Sequence, residues 1–82
     1  MITSDCIELA YCLLHQKWRV YEHSDMDWQR DDIEQAVAAY TREMNTELYD
    51  LLAQGQPDFL TRHTRFVQDM HQAIECLENM MS

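Results

Sequence analysis

Eighty-two residues, 46% hydrophobic and 26% charged with one Gly and one Pro, suit a single small helical core and exclude disordered, collagen-like and turn-rich β architectures. The formal net charge is −9, and the six Lys and Arg are scattered along the chain. Such a surface cannot neutralise a run of phosphates, so neither direct nucleic-acid contact nor docking on an anionic membrane is expected.

The first amphipathic stretch should open at Thr3, Ser4 or Asp5, where a side-chain oxygen can accept from the free amides of a first turn, and Asp5 with Glu8 resembles a capping box. Ile7, Ala10, Tyr11, Leu14, Trp18 and Tyr21 recur at spacings of three and four, with Leu13 alongside, which predicts a helix over about 4–22. Lys17, Arg19 and His23 fall towards its C-terminal end, where the helix dipole favours cations. The stretch from His23 to Asp27 reads as a connection, because Ser24, Asp25 and Asp27 prefer caps and turns to helix interiors.

Ile33, Val37, Tyr40, Met44, Leu48, Leu51 and Leu52 then keep helical phase, predicting a second helix over about 25–54 that starts at Ser24 or Asp27. Gly55 supplies a left-handed stop, and Pro57 prevents continuation. Unbroken, this helix would run roughly 40 Å against roughly 25–30 Å for the first. Two readings resolve the mismatch: a kink or restart at Asn45-Thr46, either of which can cap a new turn, or an overhang that pairs with a second copy of the chain.

The last stretch carries the broadest apolar face. Phe59, His63, Phe66, Met70, Ala73, Leu77 and Met80 alternate at spacings of four and three, with Leu60, Val67, Ile74 and Met81 at intervals of seven beside them. This predicts a third helix over about 58–80, stabilised by burial of that face rather than by propensity. Short connections make neighbours antiparallel, so the expected architecture is all-α, an antiparallel three-helix bundle forming one domain over 1–82. His63 falls on the apolar face, where an imidazole is expected either partly buried and hydrogen-bonded to a neighbour or near the open end of the bundle; if it is buried neutral, protonation below about pH 6 would destabilise the packing.

Few residues suggest chemistry. Cys6, Cys12 and Cys76 form no Cys-x-x-Cys pair and lie inside helical segments with no positioned base, so free, unreactive thiols are expected. The opening residues lack a basic region followed by an apolar run, and the longest apolar run, Leu9 to Leu14, falls far short of the roughly 20 residues a bilayer needs. The unpaired cysteines and the absence of a signal-peptide pattern lead to the expectation of a cytoplasmic protein. No two of His15, His23, His63 and His71 stand three or four apart, and none has a zinc-type spacing to Cys or Glu. Asp25-x-Asp27-x-Gln29-x-Asp31 resembles the start of a calcium loop, but Arg30 and Ala36 occupy the positions that require Gly and a bidentate Glu. No metal, cofactor or catalytic residue is expected, and the chain reads as a non-enzyme.

What remains is a surface. Trp28 lies off the main stripe of the second helix and is expected to be exposed beside the acidic residues Asp25, Asp27, Asp31, Asp32 and Glu34. Exposed aromatics mark partner surfaces more often than active sites. The leading expectation is a protein–protein interaction module, an adaptor or small regulator acting through helix faces and able to form a homodimer. The alternatives are an acidic inhibitor or antitoxin-like partner of a basic, nucleic-acid-binding protein, and a structural homo-oligomer.

Overall fold

A computed structural model describes residues 2–82, which form four helices and one short 3-10 turn, with no strand among the described residues. The helices are α1 (Ser4–Glu22), α2 (Asp27–Glu43), α3 (Thr46–Ala53) and α4 (Phe66–Met81), with the 3-10 turn at His63–Arg65 immediately before α4. None of them is long and apolar enough to cross a membrane. The chain is all-helical, and the expected three-helix count is corrected to four.

The first helix is capped by Thr3, whose Oγ1 accepts from the Cys6 amide at 3.1 Å, so the cap is neither Ser4 nor Asp5. At its far end the Ser24 hydroxyl donates to the Val20 carbonyl at 2.8 Å and its amide to the Tyr21 carbonyl, closing the helix as the chain turns away. Ser24 is buried in that turn and does not start α2. The second helix begins instead at Asp27, with the Met26 carbonyl accepting from the Gln29 and Arg30 amides.

The long second helix expected over 25–54 is broken into α2 and α3. Met44 adopts an extended backbone, and the Asn45 side chain accepts from the amides of Glu47 and Leu48 at 2.9 and 3.3 Å. Asn45 is thus the cap that restarts the chain as α3, and with the break the roughly 40 Å rod and its overhang disappear. Gln54 and Gly55 end α3 with φ of 51° and 80°, as a left-handed stop requires.

The larger correction concerns 58–65, expected as the first turns of the last helix. Asp58 and Leu60 have φ of 55° and 66°, a conformation no helix continues through, and α4 starts only at Phe66. Phe59 and Leu60 are nonetheless both fully buried. Helical backbone would point adjacent side chains about 100° apart, whereas a tight left-handed turn can push both into the core. Polar contacts hold the turn in place. The Leu60 amide donates to Asp69 Oδ2 at 3.0 Å, the Tyr49 hydroxyl donates to the Phe59 carbonyl at 2.9 Å, and Gln72 Nε2 donates to the Leu52 carbonyl at 2.7 Å.

The core lies where α1 and α4 pack along one another, with α2 against α1 and α3 against α4. Its centre is Leu14, Val37, Leu48, Leu52, Phe59, Leu60, Phe66, Met70 and Leu77. The row predicted at sevenfold spacing is only partly covered, for Val67 and Met81 stand exposed while Leu60 is buried through the loop. Leu51, placed on the buried stripe by its phase, is also exposed, although its neighbours Leu48 and Leu52 are fully buried.

Candidate functional site

The first turns of α2 and the connection before it carry the acidic surface. Asp25, Asp27, Asp31 and Asp32 are all exposed, and Trp28 stands among them with 67% of its surface in solvent. Asp31 and Asp32 are three and four residues beyond Trp28, so they flank the indole one helical turn away. Met26 and Val20 add exposed apolar surface on either side of the same connection. Acidic residues at a helix start also complement its dipole, which allows so many carboxylates to share one turn.

Glu34 differs from the other acids because it turns inward. Its side chain is only 13% exposed, and it receives the Tyr21 hydroxyl at 3.1 Å from α1 and the His63 imidazole from the 3-10 turn. His63 Nδ1 lies 2.8 Å from one Glu34 oxygen and 3.1 Å from the other. Tyr21 is fixed in turn by its ring, which rests against Phe66 at 4.9 Å. Three elements separated in sequence therefore meet at one carboxylate. Asp31, one turn earlier on α2, completes a group in which ligating atoms of Asp31, Glu34 and His63 all lie within 4.8 Å of one another.

His63 has the hydrogen-bonded neighbour expected for it, but not the burial. Its side chain is 76% exposed, so it is a surface residue and not part of the buried face. The hydrogen bond to Glu34 and the Glu34 charge raise its pKa above the ordinary value of 6.5, against a smaller opposing effect of burial. For Tyr21, burial is the main cause of a raised pKa, and Glu34 adds to it by charge and hydrogen bond. The helical spacing of His63 relative to Phe59 and Phe66 suggested a core position. The loop that breaks that spacing sends the imidazole outward.

Sequence reasoning singled out Trp28 and the acids but missed Tyr21 and His63 as their neighbours. Nothing in the spacing joins residues 34 and 63, which meet only because the loop after α3 folds back beside α2. A second feature missed is the outer side of α1, where Tyr11, Cys12, His15, Gln16, Arg19, Val20 and His23 line an open, mostly apolar groove. Exposed positions at Leu9, Cys12, Gln16 and Val20 repeat at three and four along that side, a weak stripe opposite the buried Ala10 and Leu14. Tyr11, packed against the core as expected, reaches outward with its hydroxyl, which donates to Glu78 at 3.3 Å. The three cysteines are free thiols, Cys12 exposed and Cys6 and Cys76 half-buried.

No family model, curated protein or solved structure matches the chain.

Proposed function

We propose that this chain is a protein–protein interaction module, an adaptor or small regulator whose contact surface is Trp28 with Asp25, Asp27, Asp31 and Asp32. The observation that carries the reading is the 67% exposure of Trp28 on a rigid helix. An indole left in water on a well-formed helix contributes little to its own fold, while at an interface it supplies large contact area at low entropic cost. The acids around it define the chemistry of the partner. An arginine or lysine laid over the indole face, beside a carboxylate one turn away, gains both a cation–π contact and an ion pair. The occupant is therefore a protein segment that pairs apolar side chains with basic ones.

A second reading is supported by the exposure of all four aspartates: an acidic inhibitor that occupies the basic groove of a nucleic-acid-binding protein. The two differ in salt dependence, because a charge-driven complex weakens steeply as ionic strength rises and an apolar anchor hardly responds. Neither reading assigns catalysis to Cys6, Cys12 or Cys76.

The test is an affinity capture at low and moderate salt with three baits: the natural chain, Trp28→Ala and Val67→Ala. Val67 is exposed on α4, a different helix from the one that carries the proposed surface. A partner retained by the natural chain and by Val67→Ala but lost by Trp28→Ala supports the interaction surface. Loss at moderate salt favours the acidic inhibitor, and retention favours the adaptor. Equal recovery by all three baits would remove Trp28 from the surface. The bait alone at twice its monomer mass would replace both readings with a homodimer. Trp28→Ala itself should change stability by no more than about 0.5 kcal/mol in urea unfolding, since the side chain lies outside the core.

A further inference from the structure

The meeting point of α2 with the 3-10 turn brings together an imidazole and two carboxylates that the chain keeps far apart. Asp31 and Glu34 come from consecutive turns of α2, His63 lies 29 residues beyond Glu34, and their ligating atoms all fall within 4.8 Å of one another. A bare patch of surface acid has no reason to include a nitrogen donor from another element, aimed at both oxygens of one carboxylate at 2.8 and 3.1 Å. At present a proton holds that nitrogen and carboxylate together. Metal bonds of about 2.0–2.2 Å to nitrogen and oxygen in a tetrahedral arrangement set neighbouring donors roughly 3.4 Å apart. Opening the pair by about half an ångström, at an imidazole 76% exposed, and drawing Asp31 in from within 4.8 Å would therefore let a cation replace the proton.

We propose that Asp31, Glu34 and His63 form a binding site for a divalent transition-metal cation of the zinc class, with solvent completing its coordination. The donor set selects that class. Calcium and magnesium favour oxygen-only surroundings, whereas one imidazole with two carboxylates suits borderline cations such as Zn²⁺. The Tyr21 hydroxyl, donating to Glu34 at 3.1 Å, is the kind of outer hydrogen bond that holds a ligating carboxylate in position. The surrounding field is also favourable: the depression is lined by Asp27, Asp31 and Glu34 against one arginine, Arg30. Because its ligands span α2 and the turn before α4, a bound cation would tie those elements together and raise the thermal midpoint. The site shares Asp31 with the proposed partner surface, but Trp28 takes no part in it, and Zn²⁺ binding is read without any partner present.

The experiment uses tag-free protein and Zn²⁺ alone, with calorimetry for stoichiometry and imidazole nitrogen resonances for location. One equivalent is expected to bind and to shift His63 before His15, His23 or His71. His63→Gln and Glu34→Gln should each weaken binding at least tenfold, while Asp25→Asn, outside the cluster, should leave it unchanged. Circular dichroism of each variant checks that it remains folded. Replacing Zn²⁺ by Co²⁺ distinguishes the cysteines, because thiolate ligation produces an intense near-ultraviolet band and the proposed nitrogen–oxygen set does not. Binding undiminished in His63→Gln, a first shift at another histidine, a thiolate band, or no uptake of Zn²⁺ would each overturn the assignment.

Discussion

His63 shows how one side chain can reverse its expected behaviour when its surroundings change. In a buried, neutral setting its protonation would destabilise the fold; paired with Glu34 at the surface, protonation strengthens the pair. A histidine whose pKa is raised on folding contributes stability that is complete below its unfolded value, near 6.5, and is lost as pH rises through the higher folded value. In metal-free buffer the His63 imidazole should therefore titrate at higher pH in the natural chain than in Glu34→Gln, followed by nuclear magnetic resonance. The stability gap between the natural chain and His63→Gln should be wider at pH 5.5 than at pH 8; a gap that widened towards pH 8 would show the imidazole to be held neutral. Asp69 makes the complementary point about legibility. On α4 its phase, three residues after Phe66 and four before Ala73, puts it on the buried face, but nothing in the spacing shows what satisfies it there: one oxygen takes the Leu60 amide, with Arg62 and Arg65 each 3.9 Å away. A carboxylate bound to a backbone amide nine residues earlier leaves no periodic trace in sequence.

Among the elements, boundaries written in local chemistry were readable and those set by long-range contact were not. Thr3, Asn45 and Gly55 act within a turn of their own position, and each serves as a cap or stop. Asn45 satisfies two amides of α3, a helix of only eight residues. Asn45→Ala should therefore cost about 0.5–2 kcal/mol in urea unfolding. A cost near zero would mean that the helices are separated by packing around Met44 rather than by the cap. The stretch from 58 to 65 misled because Phe59, His63 and Phe66 keep perfect helical spacing. Its conformation is imposed instead by partners on α3 and α4: Tyr49 on the Phe59 carbonyl, Asp69 on the Leu60 amide and the core around both side chains. Burying two large apolar residues side by side outweighs the unfavourable backbone of Leu60, which costs of the order of 1–3 kcal/mol.

For the whole molecule, stability rests on the core between α1 and α4, in which Phe59 and Phe66 are the largest fully buried side chains. Phe66 also supports the ring of Tyr21 and through it the Glu34 cluster, so the core and the candidate metal site share a residue. Truncating it to Ala should cost about 3–5 kcal/mol, comparable with the entire stability expected of a domain this size. Phe66→Ala should accordingly be largely unfolded at room temperature by circular dichroism, and a thermal midpoint moved by only a few degrees would place the centre of the core elsewhere. The sequence by itself determined the helical class, the limits of α1, the stop after α3 and most of the apolar face of α4, because each follows from periodicity or from capping within one turn. Only the tertiary structure decided between a break at Asn45 and one continuous second helix, that Trp28 stands exposed, that Phe59 and Leu60 enter the core through a left-handed loop, and that His63 meets Glu34. Those outcomes depend on which distant groups compete for one amide, one carbonyl or one volume of core, and that competition is resolved only when the whole chain is packed.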